Sequence, residues 1–223
     1  MELLPERALL WPERGILFCA DLHLGKSAAF RAHGLAVPEG SDGADLARLR
    51  ALAQTYAIKE IILLGDFQHA PAGSTPALRE AVRAWRASLG EVRVVIVAGN
   101  HDRGLASWAD EAGLELHQPP CEREPFHLRH EPPAGLNAGE AGPALTFCGH
   151  LHPAVRLREG GHTLRPPCFW LSRQLLVLPA FGSFTGSANI QPGPRDRIFA
   201  IIEGAVCEIP VPALTAKKKR ARN

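Results

Sequence analysis

The sequence predicts an α/β fold built on a parallel sheet, and three observations point there. Short apolar runs recur at 16–20, 61–65, 94–98 and 145–149, the third of them rich in β-branched residues. Such runs suit strands buried on both faces. Between the first three lie segments whose apolar residues recur at helical spacing, and that alternation of strand and helix is the signature of a parallel sheet. Each run also stops abruptly in Asp, Asn or His, at a strand's carboxyl end, where open α/β sheets build their sites.

In chain order, the first 14 residues hold Leu3-Leu4 before Pro5 and Leu9-Leu10 and Trp11 before Pro12, which suits a short edge strand leading into the run at 16–20. Residues 25–31 begin a helical turn, and 34–43, rich in Gly, Pro and Ser, make a loop beside a strand tip, where substrate contacts are often carried. From 44 to 57, Leu46, Leu49, Leu52 and Tyr56 recur at helical spacing, with Arg48 and Arg50 on other faces. Ser74-Thr75-Pro76 offers an N-cap and an N1 proline for a helix running to Ser88, with Val82 and Trp85 facing inward. Residues 104–113 suit a further short helix, 114–116 a short strand and 119–125 a connection. An alternating strand at 126–130 stops against Glu131-Pro132-Pro133, and 132–143 has the composition of a surface loop. After His152 the runs at 155–158, 175–178 and 198–202 read as a second sheet packed on the first. No longer repeat recurs, which excludes a solenoid.

At 223 residues with 46% hydrophobic side chains the chain can fill one sizeable core, so one domain is expected over residues 1–215. The remainder, 216–223, is a basic tail. Its Lys217, Lys218, Lys219, Arg220 and Arg222 account for the net charge of +2, and the body without them carries −3. Overall charge is therefore no argument for a nucleic-acid partner. Five cysteines without a Cys-x-x-Cys pair fit neither a disulfide framework nor a zinc ribbon, and Cys19, Cys148 and Cys207 lie in apolar runs, so they are expected to be reduced core residues. With no apolar segment reaching the roughly 20 residues that span a bilayer and no secretory leader pattern, the expectation is a cytoplasmic protein without a membrane partner.

The strand tips carry the chemistry. Asp21-Leu22-His23, Gly65-Asp66-Phe67-Gln68-His69, Gly99-Asn100-His101-Asp102 and Gly149-His150-Leu151-His152 would, if the four strands lie side by side, gather oxygen and nitrogen donors with no thiolate among them. That set suits Mn²⁺, Fe or Zn²⁺ held between carboxylates and imidazoles. In this order the four motifs resemble the calcineurin-like binuclear metallophosphoesterases. Within that family, Asp21-Leu22-His23-Leu24-Gly25-Lys26, His69 and Leu178-Pro179-Ala180-Phe181-Gly182-Ser183-Phe184 are similar to the bacterial DNA repair endonuclease branch associated with a DNA ligase and a helicase.

The resemblance implies a two-sheet αββα metallophosphoesterase sandwich and two divalent ions, Mn²⁺ foremost. Asp21, His23, Asp66 and His152 would hold one ion, and Asp66, Asn100, His130 and His150 the other, with Asp66 shared. The family asks only for one histidine ending a strand between the third and last motifs; His117 and His127 compete with His130, which is preferred because its strand stops there. His101 would protonate the leaving oxygen while Asp102 orients its ring. His69 is open between a partner of Asp66 and a substrate contact. Lys26 and Arg103 are open between phosphate contacts and solvated charges. Phe30, Phe181 and Phe184 are open between base-stacking rims and core.

The leading functional expectation is a manganese-dependent endonuclease on single-stranded DNA in repair, associated with DNA ligase and helicase proteins. A hydrolase of small nucleotides or lipid-linked pyrophosphates uses the same fold, and a non-catalytic scaffold is the alternative of another class. The complete donor set argues against the scaffold, whereas fold and motifs alone do not choose between the two enzymes.

Overall fold

A computed structural model describes residues 1–38, 40–133, 145–159 and 162–211. The basic tail lies outside the described residues, as does most of the loop at 132–143.

The first sheet contains β1 (Glu2–Leu4), β2 (Ala8–Trp11), β3 (Ile16–Cys19), β4 (Glu60–Leu63), β5 (Arg93–Val97) and β6 (Glu115–His117), in that spatial order. The amino-terminal segment supplies two antiparallel strands rather than one, and from β3 onward every pairing is parallel. The register sets Cys19 beside Leu63 and Leu63 beside Ile96, so the tips of β3, β4 and β5 emerge together.

Among the described residues three α-helices serve this sheet: α1 (Lys26–Ala32), α2 (Ser41–Thr55) and α3 (Pro76–Ser88). The Thr75 hydroxyl accepts the Leu78 N–H, and Pro76 opens α3, matching the sequence expectation. Leu46, Leu49 and Leu52 of α2 and Val82 and Trp85 of α3 bury against Leu17, Ile61 and Ile96. One correction applies to α2: Tyr56 is exposed beyond the helix end. Arg48, off the leucine face as expected, is part-exposed and lies over the Phe181 ring. At 105–112 the chain makes two short 3-10 turns instead of a continuous helix.

The second sheet starts earlier than expected. Within 119–125, where a plain connection is predicted, lies β7 (Cys121–Arg123), paired with β8 (Phe126–Leu128), and next to β8 lies β9 (Thr146–Cys148). A two-residue strand β10 (Pro153–Ala154) follows, then β11 (Leu157–Glu159) and β12 (His162–Leu164), which pair with each other and not with the second sheet. The sheet resumes with β13 (Cys168–Ser172) and β14 (Leu175–Val177). After β15 (Ala188–Asn189), which pairs with β10, come β16 (Arg197–Ile202) and β17 (Ala205–Ile209). Its order is β17-β16-β13-β14-β9-β8-β7.

The two sheets face each other across Phe18, Ile62, Leu64, Val95 and Val97 on one side and Leu128, Phe147, Phe169, Leu176 and Leu178 on the other. This is the sandwich that the strand pattern and the resemblance imply. The outer face of the second sheet, carrying Cys148, Cys168, Trp170 and Ile198, is covered among the described residues by Val155, Ile190 and Val211. All five cysteines are free thiols; Cys19 and Cys148 are buried as expected, whereas Cys207 is exposed on β17, where alternation turns it outward.

Candidate metal centre

The fourth strand tip is not beside the other three. β9 lies in the opposing sheet, parallel to β8 and β14, so its carboxyl end and that of β8 arrive at the same edge of the sandwich as those of β3, β4 and β5. The cluster therefore forms between two sheets, from Asp21, His23, Asp66, Asn100 and His101 on one and His130, His150 and His152 on the other.

The backbone turns sharply to reach it. Asp21, His23, Asp66, His150 and His152 all have φ between 46° and 69°, a region that non-glycine residues occupy at a cost of order 1–3 kcal/mol each. Hydrogen bonds hold them there: the Asp21 N–H donates to the Gly65 carbonyl (3.1 Å), the His23 N–H to the Asp66 carbonyl (2.8 Å), and the His150 N–H to both Asp21 carboxylate oxygens (3.1 and 3.0 Å). Gly65 and Gly99 are required by close approach. A methyl group on the first would collide with the His130 ring, and on the second with the backbone and carboxylate of Asp66.

Two donor sets converge, Asp21 with His23 and His152, and Asp66 with His130 and His150. In the first, His152 Nε2 lies 3.3 Å from His23 Nε2 and 3.4 Å from Asp21 Oδ1. In the second, His130 Nε2 lies 3.1 Å from His150 Nδ1, 3.3 Å from Asp66 Oδ2 and 3.0 Å from Asn100 Oδ1. Ligands about 2.1 Å from one ion, at about 90–110° to each other, lie roughly 3.0–3.4 Å apart, so both sets have the spacing of a coordination shell. Asp66 stands between them: Oδ1 accepts the His101 N–H (2.9 Å), while Oδ2 faces His130 and is 3.6 Å from His23 Nε2. A third group, His23 with His69 and His101, contains no carboxylate.

Electrostatics agrees with the geometry. Asp21 and Asp66 are 0% and 2% exposed, and the ion pairs they make are with histidines. Buried carboxylates without a permanent cation call for positive charge. Burial alone would raise the Asp66 pKa, but the hydrogen bond and charge of His130, with the His101 N–H, outweigh it and hold the carboxylate below its usual range. Burial likewise works against a charged His130, yet Asp66 and Asp21 draw a proton onto it and raise its pKa to about 9. His23 is driven the other way: burial, helped by His152, His101 and His69, outweighs the pull of Asp66 and lowers its pKa to about 3, which favours the neutral imidazole that a metal takes. The Leu64 carbonyl receives His130 Nδ1–H (2.9 Å), which turns Nε2 toward the donors. His130 is the histidine at the centre; His117 and His127 lie on strands away from it.

The expected role of Asp102 needs correction, and of the two readings of His69 the structure does not form the contact with Asp66. Asp102 does not touch the His101 ring; its carboxylate accepts the Gly99 N–H (2.8 Å) and the Gln68 N–H (3.1 Å), and its burial raises its pKa to about 6. The His101 ring is oriented instead by the His69 carbonyl, which receives Nδ1–H at 2.6 Å. His69 contacts His23 (Nδ1 to Nδ1, 3.3 Å), not Asp66, and stacks on His101 with centroids 5.1 Å apart. Burial, then His101, lowers its pKa to about 4.

Lys26 is half-buried over the Phe30 and Phe184 rings, whereas Arg103 is exposed and its carbonyl accepts Gln68 Nε2–H (2.7 Å). Phe181 is fully buried and belongs to the core.

Residues 15–161 match the model of the calcineurin-like phosphoesterase family. The chain belongs to that family. It is an enzyme, a metallophosphoesterase acting as a phosphodiester hydrolase, which removes the scaffold alternative. Among solved structures it is similar to the Pseudomonas putida nuclease MPE, with 34% identity over 92% of this chain and 93% of that one and a TM-score of 0.77. A phosphoesterase from E. coli, Yfce, is similar at 15% identity over 88% of this chain and 98% of that one, with a TM-score of 0.44. Among curated proteins none matches the chain.

What sequence reasoning missed in this phosphoesterase is the support of the 178–184 loop. Its Phe181 N–H donates to the Ala20 carbonyl (2.8 Å) and its Gly182 N–H to the Asp21 carbonyl (3.2 Å), so the loop braces the first ligand. Buried Asp45 accepts the Ser183 N–H (2.8 Å) and hydroxyl (3.2 Å), and Arg48 donates to the Phe181 carbonyl. The signal was present: an aspartate beside Leu46, on the apolar face of a helix, needs a buried partner.

Proposed function

We propose that the protein is a manganese-dependent endonuclease acting on single-stranded DNA in repair, in the cytoplasm. The observation that carries this reading is the likeness, over nearly the whole of both chains, to a structure described as a nuclease. Manganese is favoured by a donor set of carboxylates, imidazoles and one amide with no thiolate, and a reducing compartment by five free thiols. No helix among the described residues is long and apolar enough to cross a membrane. A repair DNA ligase and helicase are the proposed partners.

Asp21, His23, Asp66 and His152 would hold one ion and Asp66, Asn100, His130 and His150 the second. Bound there, two divalent ions would polarise a phosphate oxygen and make water nucleophilic. The protein's own groups do the rest. Asp66 keeps Oδ1 on the His101 N–H and leaves Oδ2 free to serve both donor sets. His101, with Nδ1–H given to the His69 carbonyl, turns Nε2 outward as the atom that delivers a proton to the leaving oxygen. Asp102 is a positioning residue, holding Gly99 and Gln68 so that Asn100 and His101 keep their places. Lys26 and Arg103 would meet flanking phosphates.

The test is hydrolysis by purified protein with Mn²⁺ of circular and linear single strands, duplex DNA, RNA and a chromogenic phosphodiester. Cleavage of circular single strands is expected, since a site open between two sheets needs no strand end. Hydrolysis of the small diester with circles left intact would instead establish the small-molecule esterase reading.

A further inference from the structure

Beside the centre, rings continue without a break from the donors to the surface. His101 stacks on His69, His69 meets Phe30 edge-on with centroids 5.7 Å apart, and Phe30 meets Phe184 at 6.1 Å and 70°. The Lys26 ammonium lies 5.8 Å from the Phe30 centroid and 5.9 Å from that of Phe184. Phe184 is 37% exposed, a large apolar ring that the core does not use.

This rim is built rather than incidental. Phe30 and Lys26 come from α1, whose start is tied down by the Gly25 N–H donating to Asp42 (3.1 Å). Phe184 follows Ser183, which Asp45 holds through both its N–H and its hydroxyl. Two separate chain segments thus present two rings and a cation beside His69, the residue stacked on the proton-delivering histidine. Burial disfavours charge on Lys26, and it stands over aromatic faces where the negative face of each ring supports it.

We propose that Phe184, braced by Phe30, is the seat for the base of an unpaired nucleotide adjoining the scissile phosphate, with Lys26 paired to that nucleotide's phosphate. The proposal rests on the nuclease reading above and gives it a physical basis for strand selectivity. In a nucleotide one sugar separates base from phosphate, and here the ammonium stands within 6 Å of both ring centroids, on a run of rings that leads through His69 to His101. A base within a duplex is stacked and paired and cannot reach the ring; an unpaired base can, and aromatic platforms take any base because each has a π face. A purely apolar ligand would have no use for the ammonium.

The experiment uses the protein with Mn²⁺ and a single-stranded oligonucleotide cut at one position, compared with versions in which one nucleotide at a time around that position is made abasic. The native protein is expected to lose roughly tenfold or more in kcat/KM when one particular neighbour of the cut lacks its base. Phe184→Leu should lose a similar factor on the intact strand and become indifferent to the abasic position, and Phe184→Trp should restore the preference. Cleavage insensitive to every abasic position, or a preference that survives in Phe184→Leu, overturns the base seat while the nuclease reading stands. If the native protein hydrolyses a chromogenic diester but cuts no single strand, the nuclease reading itself is lost and the seat with it.

Discussion

Asp66 has one oxygen committed to a backbone N–H and the other facing imidazoles of both donor sets, so its removal strikes both at once. Asp66→Ala should abolish Mn²⁺-dependent hydrolysis and the binding of both ions, with circular dichroism unchanged; stoichiometric metal with native turnover in this variant would refute a shared ligand. His101 differs, because its ring is held by a carbonyl and not by a ligand. His101→Ala should retain metal and lose roughly 10²–10⁴-fold on DNA, where the departing alkoxide needs a proton, but far less on nitrophenyl esters. Equal losses on the two substrates would make His101 structural.

At the scale of elements, the centre depends on how closely its loops approach. Gly99 follows β5 by two residues and lies against Asp66, so Gly99→Ala must displace either the loop or the carboxylate. Overpacking of this kind costs about 1–3 kcal/mol, and because the displaced group is Asp66, metal affinity should fall along with melting temperature. The 178–184 loop offers a separate test. Asp45→Ala removes the buried acceptor for the N–H and hydroxyl of the exposed Ser183, and because water can replace it on those donors the loss is about 0.5–1.5 kcal/mol. Its melting temperature in thermal denaturation should drop while the ligands remain in place, and an unchanged value would show that the loop stands without the clamp.

For the whole molecule, two sheets are fastened at one edge by buried carboxylates whose counter-charge is a histidine proton. Mn²⁺ binding only the folded state should stabilise it by about 2.7 kcal/mol at a hundredfold excess over Kd. Differential scanning calorimetry should show a rise in Tm reversed by chelation, and a Tm indifferent to Mn²⁺ would contradict a centre built between the sheets. The basic tail bears on substrate at this scale too. Deleting residues 217–223 should weaken single-strand binding and flatten its salt dependence, by roughly 0.7 in the slope for every phosphate that the tail neutralises. An unchanged slope would mean that the tail meets no phosphate.

The sequence by itself determined the βαβ half of the fold, the Thr75 cap and Pro76 start of α3, and the residue types of the donor set. These follow from local spacing: β-branched runs bury strands, helical periodicity buries one face, and Asp, Asn and His at strand ends are chemistry without a structural need. Only the tertiary structure decided that β9 stands in the opposite sheet, that His130 closes the second donor set, and that Asp102 holds backbone while the His69 carbonyl aims His101. Each of these joins residues 20 to 129 positions apart, and hydrophobic pattern carries no information about which sheet a buried strand joins or which nearby acceptor wins a ring. Nor does it show φ above zero at Asp21, His23, Asp66, His150 and His152, since that strain is sustained by the hydrogen bonds of the assembled edge and by nothing local to those residues.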